Sequence, residues 1–252
     1  MLKNDDLYRA IFRRKSVRKF EPSALLAPQM EVIAELLTTI VPLTPETRTM
    51  VKIVAPDDVR GLIQVKAPHY VAAFSEEKPD YLLNAGYLLQ QLDLSLSSVG
   101  LGCCWQGWPK PTRDLGAGAG LSFVIALALG TAREPLHRSS ASAFKRKPLA
   151  DISDGRIADA FLEPVRLAPS SSQPWFFSGD EDTINAYCVT RRGLRSKLFG
   201  RIDEIDMGVA FCHLSVAAQH FGKSATFVRL PDMPDHAPAG HHYVGSFLLG
   251  RS

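Results

Sequence analysis

A long apolar segment at residues 84–99 limits the folds open to this chain more than any other part of its sequence. Its apolar side chains recur at helical spacing, two further leucines widen the stripe, and no proline interrupts it. The segment is long enough for about four helical turns. A helix that is apolar over so much of its surface has to be covered by other parts of the protein. The sequence therefore predicts a buried central helix.

The segment after this helix is rich in glycine and tryptophan. Gly100 suits the left-handed conformation of a helix cap. Gly102 and Gly107 allow the backbone to approach a flat ligand closely. Trp105 and Trp108 offer apolar walls to such a ligand. These residues alone leave two interpretations open. The segment is either a loop that fills core space or a surface that binds a planar molecule.

Composition and charge exclude several classes of protein. The chain has 252 residues, enough for one large domain or two small ones, and its net charge of +3 is too small to indicate a nucleic-acid or membrane partner. The longest apolar run, residues 123–129, is too short to span a membrane, and the N-terminal residues contain no apolar signal core. The four cysteines form no CxxC motif, so we expect reduced thiols and a cytoplasmic protein.

A similar order of predicted elements occurs twice along the chain. The first set consists of helices at 5–14, 28–40, 59–65 and 84–99 and strands at 51–55, 69–74 and 123–129. In the second set, a helix at 154–167 corresponds to the helix at 28–40. Residues 206–214 align with residues 84–92 without a gap, and residues 244–250 resemble residues 124–130. We interpret this as two degenerate copies of one unit, 1–138 and 139–252, against the alternative of chance similarity between buried segments.

Two polar segments distinguish the copies. Residues 13–20 of the first copy, RRKSVRKF, carry five cations and a hydroxyl in eight positions and end in a strand-like alternation. Residues 168–177 of the second copy, APSSSQPWFF, offer hydroxyls and an amide before a tryptophan-led strand. The second segment is also compatible with a helix cap followed by a serine turn.

These two segments, together with GLGCCWQGW, VIALALG and FKRKPL, resemble the FMN-dependent nitroreductase family. The chain most closely resembles the branch in which two units are fused, the TM-type nitroreductases. Usual members of the family form a tight homodimer that binds FMN at its interface. The resemblance therefore implies an α+β fold with a central mixed or antiparallel sheet flanked by helices. It also implies that the two halves pack as a pseudo-dimer, so that the chain is able to fold as a monomer, with further self-association left open.

The resemblance further implies which residues bind the cofactor. Arg14 and Arg18 would hold the FMN phosphate through charge-assisted bonds, with a further hydrogen bond from Ser16. These three residues alternate, so they face one way on an extended strand. A backbone N–H near Gly107 would lie close to flavin N5. The complete set of expected cofactor-binding residues is Arg14, Lys15, Ser16, Arg18, Cys104, Trp105, Gln106, Gly107, Arg146, Lys147, Pro169, Ser170, Ser171 and Gln173.

The second copy contributes to this set in two ways. Arg146, with the lysine on either side, matches the family's second phosphate-binding cluster, although those lysines are equally compatible with a solvated surface. Residues 169–173 match the stretch that reaches the flavin from the other subunit. The family usually has P-S-x-x-N-x-Q-P-W there, whereas this chain has the shorter PSSSQPW without the asparagine. Because each motif occurs in one copy alone, we expect one FMN per chain.

The expected chemistry is hydride transfer from NADH or NADPH to flavin N5 and then to a nitro compound, a quinone or a similar small acceptor. The flavin performs this chemistry, so no catalytic side chain is expected. The alternative is a non-enzymatic FMN-binding protein. We expect no metal site, because the paired histidines lack a carboxylate or cysteine at ligand spacing. Cys103 and Cys104 are neighbours, and strain and burial favour inert thiols over a redox pair.

Overall fold

The computed structural model describes residues 2–251, apart from the side chains of residues 117 and 251, and it consists of two compact units. The first unit contains Arg13–Ala143. The second unit combines the segment that ends at Phe12 with the segment that begins at Phe144. The sequence-based division places residues 2–12 in the first copy, whereas the structure groups them with the second unit. Residues 1 and 252, the outer ends of the predicted halves, lie outside the described residues.

The first unit is built on an antiparallel sheet. Helix α1, Asn4–Ile11, precedes it along the chain and packs within the second unit. The elements of the first unit are α2 (Ala27–Thr39), β1 (Thr49–Val54), β2 (Val59–Arg60), β3 (His69–Ser75), α3 (Tyr81–Ser98), β4 (Gly102–Gln106), β5 (Lys110–Pro111) and β6 (Ser122–Gly130). The sheet order is β1-β3-β6-β4, and every neighbouring pair is antiparallel. Strands β2 and β5 form a separate two-stranded ribbon.

Helix α3 is the predicted central helix, and its burial confirms that prediction. It contacts β1, β3, β4 and β6, and therefore lies across the sheet. Leu89, Leu92 and Leu96 on this helix are fully buried. The helix begins at Tyr81, three residues before the predicted start, and Gly100 follows it with a positive φ of 87°. That left-handed conformation agrees with the predicted glycine cap.

The second unit repeats this plan with different residues. Its elements after α1 are α4 (Asp159–Arg166), β7 (Trp175–Gly179), β8 (Thr183–Val189), α5 (Leu194–His220), β9 (Lys223–Val228) and β10 (His241–Arg251). The sheet order is β7-β8-β10-β9, again antiparallel throughout. Helix α5 packs against α1, α4, β8 and β9. Short 3₁₀ turns lie at Pro56–Asp58, Ala117–Ala119, Ala141–Ala143, Leu149–Asp151 and Met233–His236.

The two units share one topology. In each, a helix is followed by two strands of the main sheet, a long helix and two further strands, and the two sheet orders are equivalent. The last strand of each unit carries a β-bulge, at Val124 in β6 and at Val244 in β10. These two valines are the first residues of the segments that resemble each other in the sequence. The structure therefore agrees with the α+β class and with antiparallel sheets flanked by helices.

Several sequence-based elements differ from the structure. The predicted helix at 59–65 is wrong, because Val59 and Arg60 pair with Pro111 and Lys110 as strands. A side chain at Gly61 would place its Cβ 2.8 Å from the Cα of Pro109, so this turn packs tightly against the chain beside it. Tertiary pairing thus outweighs the local helical pattern.

Other corrections concern boundaries and missed strands. Residues 102–106, interpreted as part of a loop, form β4 at the edge of the sheet. The helix predicted from residue 154 begins at Asp159, and β8 and β9 were not predicted. Helix α5 starts at Leu194, twelve residues before the matched segment 206–214, and its first six residues are exposed and carry no apolar pattern. Within residues 2–251, no helix has the length and apolar character needed to cross a membrane.

Candidate functional site

The cationic segment of the first unit is extended and lies beside β4. Ser16 forms a parallel bridge with Cys103, and the N–H of Val17 donates to the carbonyl of Cys103 at 2.9 Å. Gly102 makes this close approach possible, because a Cβ there would lie 2.8 Å from Cγ2 of Val17. The structure therefore brings the predicted phosphate-binding segment and the predicted flavin bed together within one unit.

Arg14 is held inside the first unit by an ion pair. Its Nε lies 2.9 Å from Oδ2 of Asp93 on α3, and the two side chains are 1% and 2% exposed. Its Nη2 donates to the hydroxyl of Ser16 at 3.2 Å. Burial raises the pKa of Asp93, while the charge of Arg14 and hydrogen bonds from Trp105 and Gln90 oppose that rise. Arg14 thus orients Ser16 and does not itself reach the surface.

Arg18 and Lys15 occupy different environments. Arg18 is exposed, and its Nη1 donates to the carbonyl of Ser16 at 3.4 Å. Its backbone N–H donates to Oε1 of Glu134 at 2.6 Å, a bond that is the largest cause of the lowered pKa of that carboxyl. Lys15 directs its ammonium to the other oxygen of Glu134 at 3.1 Å and to the carbonyl of Pro135 at 3.3 Å. Of the predicted phosphate-binding side chains Lys15 and Arg18, Arg18 therefore faces solvent. The ammonium of Lys15 is bonded to Glu134 and to the carbonyl of Pro135.

Trp105 is the only residue of strand β4 that is not fully buried. Cys104 is buried, and Trp105 is half-buried. The amide of Gln106 is consumed internally, because its Nε2 donates to the carbonyl of Cys104 at 3.0 Å and its Oε1 accepts from the N–H of Val65 at 2.9 Å. Gly107 follows the strand and is exposed. The backbone at Gly107 is thus open to a ligand, and the side chain of Gln106 is not.

In the second unit, the predicted basic cluster and the serine-rich loop lie against each other. Nη1 of Arg146 donates to the carbonyl of Ser170 at 3.3 Å. The backbone N–H of Lys147 donates to Oε1 of Gln173 at 2.7 Å, and Nζ of Lys147 donates to the carbonyl of Gln173 at 2.8 Å. Gln173 also donates from Nε2 to the carbonyl of Arg166 at 3.1 Å and has a positive φ of 46°, which is uncommon for a residue other than glycine. These bonds fix the loop internally.

Ser170 is bonded to a buried carboxyl on α5. Its hydroxyl accepts from the N–H groups of Ser172 at 3.2 Å and Gln173 at 2.9 Å, and it donates to Oδ2 of Asp206 at 2.5 Å. Burial raises the pKa of Asp206 to about 7. Pro169 is buried, whereas Ser171 is exposed at the tip of the loop. Of the predicted loop residues, Ser171 is therefore the most accessible to a ligand.

Four residues of these clusters were not predicted from the sequence: Asp93, Glu134, Asp206 and Arg138, whose Nη1 donates to the carbonyl of Arg14. Two of them carried a signal, because a lone carboxylate within an apolar helix is almost never buried without a partner. Asp93 on α3 and Asp206 on α5 both fit that description. Glu134 and Arg138 lie in the segment after β6, and their pattern gave no indication of a role.

The cysteines and histidines do not form a further reactive centre in the part of the chain that the structure describes. All four cysteines are free and buried. Burial is the largest cause of the raised pKa of Cys104, and it raises the pKa of Cys188 to about 12, so neither thiol ionises readily. Among residues 2–251, no group of three or more potential ligands is arranged to hold a metal ion.

Comparison with known proteins assigns the family. A family model described as putative TM nitroreductase matches residues 6–218. The chain belongs to this nitroreductase family. Membership supports a flavin oxidoreductase as the general class of the protein. A comparison with curated proteins found no match.

One solved nitroreductase structure shares the fold over nearly the whole chain at low sequence identity, and others are similar over part of the chain. A putative nitroreductase from Thermotoga maritima is similar over 99% of this chain and 95% of its own, with 18% identity and a TM-score of 0.66. A nitroreductase family protein from Clostridium difficile covers 60% of this chain and 96% of its own, with 13% identity and a TM-score of 0.45. A nitroreductase with bound FMN from Desulfitobacterium hafniense covers 59% of this chain and 100% of its own, with 16% identity and a TM-score of 0.41. The first of these shows that the nitroreductase fold extends over almost the whole chain.

Proposed function

We propose that this nitroreductase family member binds FMN and transfers hydride from NADH or NADPH to a nitro compound, a quinone or a similar acceptor. The observation that supports this most is the hydrogen-bonded contact between residues 16–17 and β4. It joins groups suited to a phosphate to a backbone edge suited to a flat ring. Family membership supports the same conclusion.

The polar groups of the first unit suit a phosphate. Arg18 is exposed and carries a planar guanidinium, which matches the oxygens of a phosphate. Ser16 accepts a hydrogen bond from Arg14, so its own proton is available for donation to an anion. Arg14 acts here as a positioning residue for Ser16. We therefore assign phosphate binding to Ser16 and Arg18. The ion pair of Arg14 with Asp93 holds Arg14 where it bonds to Ser16.

The ring-binding groups are expected to be mainly backbone. Gly107 is exposed at the end of β4, and a residue without Cβ allows close approach of a flat ring. Trp105 adds a half-buried aromatic surface next to it. In the second unit, we assign Ser171 and the neighbouring backbone as further cofactor contacts, with Arg146 and Lys147 holding the loop in shape.

When bound, FMN would supply the redox chemistry by cycling between its oxidised and hydride-reduced forms. The protein's own contribution is to bind and orient the cofactor and to limit access to it. No side chain is assigned a proton-transfer role. This is consistent with the buried carboxyls, Asp93 and Asp206, which are bonded to Arg14 and Ser170.

A second candidate function is FMN binding without turnover. It is favoured by the internal bonding of both candidate amides, because Gln106 and Gln173 each use donor and acceptor within their own unit. The loop is also shorter than the family pattern and lacks its asparagine. A protein of this kind would bind flavin but would not pass hydride to an acceptor.

The two candidates give different results in one anaerobic experiment. We expect the protein reconstituted with FMN to show a flavin absorbance that NADH or NADPH bleaches, and a nitroaromatic compound or a quinone to restore it. Free FMN at the same concentration is the control for uncatalysed reduction. A bound flavin that neither nicotinamide bleaches faster than free FMN would support the non-enzymatic candidate. A protein that binds no FMN would contradict both.

A further inference from the structure

We propose that the second unit contains a separate binding site for a small neutral aromatic carbonyl compound, with Asn185 as the residue that recognises the carbonyl oxygen. The site is a cavity of about 560 Å³ beside strands β7 and β8. Volumes of this order are typical of sites for small molecules. The residues that line the cavity belong to the second unit, so the inference does not depend on the proposed flavin site.

Two rows of side chains share the face of the sheet on which the cavity lies. Residues that pair directly across antiparallel strands point to the same face. An aromatic row and a polar row cross β7, β8 and β10 in this way: Phe176, Tyr187 and Tyr243, and Ser178, Asn185 and Ser246. Tyr243 and Ser246 are three positions apart and would face opposite ways on a regular strand. The β-bulge between Tyr243 and Gly245 turns both of them to this face.

A chain of hydrogen bonds orients the amide of Asn185. The N–H of Leu230 donates to the phenolic oxygen of Tyr243 at 3.0 Å. That oxygen lies 2.7 Å from Oγ of Ser246, which in turn lies 2.6 Å from Oδ1 of Asn185. A backbone N–H can only donate, and the opposite order would leave the phenolic proton of Tyr243 without an acceptor in the described part of the chain. The amide oxygen of Asn185 therefore accepts, and its NH₂ group is left as a donor.

This NH₂ group is an unused donor in a nearly buried place. Asn185 is 7% exposed and lines the cavity, and its Nδ2 makes no hydrogen bond to any residue within 2–251. A buried N–H without a partner is costly, so a ligand that supplies an acceptor relieves that cost. A carbonyl oxygen is such an acceptor. Phe176, half-buried in the wall of the same cavity, offers a ring surface to an aromatic group beside that carbonyl.

The charges at the cavity favour a neutral ligand over an anion. Asp154 and Arg156 neutralise each other, with Oδ2 2.6 Å from Nη2. Asp180 accepts the N–H groups of Thr183 at 2.8 Å and Asp182 at 3.0 Å, and the bond from Thr183 is the largest cause of its lowered pKa. Among the aspartates and arginines of the lining, one cation is therefore set against two carboxylates. This excess of negative charge disfavours a ligand carboxylate.

The equivalent face of the first unit carries no such polar row. When the two units are aligned on their β-bulges, Ala72 and Ala126 occupy the positions of Asn185 and Ser246, and Phe74 occupies that of Tyr187. All three residues of the first unit belong to its hydrophobic core. The shared topology therefore does not require an amide or a hydroxyl at these positions, which makes the polar row a feature of the second unit alone.

The test compares benzamide with toluene, which has the ring and no carbonyl group. Binding to the whole chain is measured by nuclear magnetic resonance titration, with excess FMN present to occupy the proposed flavin site. We expect benzamide to bind the wild type with a dissociation constant on the order of 1 mM, as suits a ligand of this size, and to shift the amide signals of β7 and β8. Toluene and the anion benzoate should bind more weakly.

Three variants assign the contacts. N185A should weaken benzamide roughly 3- to 10-fold, to the level of toluene, because it removes one neutral hydrogen bond. Y243F keeps Asn185 but removes the proton that fixes its amide, so a several-fold loss for benzamide and no change for toluene are expected. N4A is the matched control, because Asn4 is an asparagine of the same unit that bonds to the carbonyl of Val216 at 3.1 Å and does not line the cavity. It should change neither affinity.

The contrary results are equally distinct. Equal affinity of the wild type for benzamide and toluene would overturn the proposal, as would undetectable benzamide binding. Unchanged benzamide affinity in N185A, or the same loss in N185A and N4A, would show that the amide does not recognise the ligand. Benzoate that binds as tightly as benzamide would contradict the assignment of a neutral ligand. If N185A does not fold, Y243F decides the question, and its unchanged preference for benzamide over toluene would overturn the proposal.

Discussion

Arg14 and Asp93 illustrate how one buried charge can require another. The pair is almost fully buried, with Nε and Oδ2 at 2.9 Å. Removing two charges from water is costly, and the attraction between them offsets this cost only while both are present. The pair also fixes Arg14 in the orientation in which its Nη2 reaches Ser16. Removing the charge of Asp93 should therefore lower the stability of the first unit.

The expected effect of Asp93→Asn is a loss of about 3–5 kcal/mol in the free energy of unfolding, because Arg14 would become a buried charge without a counter-charge. The double variant Asp93→Leu with Arg14→Met should recover most of this loss, since it removes both charges and keeps the volume. Urea unfolding followed by circular dichroism measures both values. A single variant within 1 kcal/mol of the wild type would show that the pair does not have this role.

Individual residues also show the limits of sequence interpretation. The alternation of Arg14, Ser16 and Arg18 predicted a shared extended segment, and the structure has that segment. It did not predict that Arg14 would be buried, because its partner Asp93 lies on a helix about eighty positions away in the sequence. Arg138 was not predicted for the same reason, since backbone pairing between distant segments brings it to Arg14. Single-sequence patterns carry local periodicity and not such long-range contacts.

At the scale of elements, the long helix of each unit holds a loop through one polar residue. On α3, Oδ1 of Asn84 accepts from the N–H of Leu43 at 2.8 Å and of Thr44 at 3.3 Å. On α5, Asp206 accepts from the hydroxyl of Ser170. The sequence alignment placed these two helix residues opposite each other. One unit therefore uses a neutral amide and the other a titratable carboxyl at the same position.

Because the folded pKa of Asp206, about 7, lies above its ordinary value of 3.8, the folded protein binds this proton more tightly than the unfolded chain does. The stabilising contribution is complete below about pH 4, and it is lost as the pH rises through 7. We expect Asp206→Asn to be more stable than the wild type by about 2–4 kcal/mol at pH 8 and nearly equal to it at pH 4. Urea unfolding at the two pH values measures this difference, with the exposed Asp235→Asn as the control. A difference that does not change with pH would refute the assignment.

The predictability of the elements followed their hydrophobic pattern. Helix α3 and strands β3 and β6 were predicted to within a few residues, because their apolar runs are buried along their length. Strand β9 was not, because its residues are only half-buried or exposed at the sheet edge. The first twelve residues of α5 were not predicted, because the helix begins with Leu194 and five further exposed residues. Exposure removes the periodic signal that the prediction depends on.

At the scale of the whole molecule, one topology carries two different sets of side chains. The sheet orders and the bulges at Val124 and Val244 are equivalent in the two units. The glycine-containing β4 and the arginine segment belong to the first unit, and the serine-rich loop belongs to the second. In β9, which occupies the place of β4, there is no glycine to admit a flat ring, and its sequence is KSATFV. The proposed ring-binding strand and the serine-rich loop therefore each occur in one unit.

Counting the flavin bound to the purified, FMN-saturated protein decides whether the chain is a flavoprotein with one site. Unbound FMN is removed by gel filtration, the protein is denatured, and the released flavin is measured by absorbance against the protein concentration. The account predicts one FMN per 252-residue chain. A ratio near two would mean that both topologically equivalent units bind cofactor, and a ratio near zero would contradict FMN binding itself.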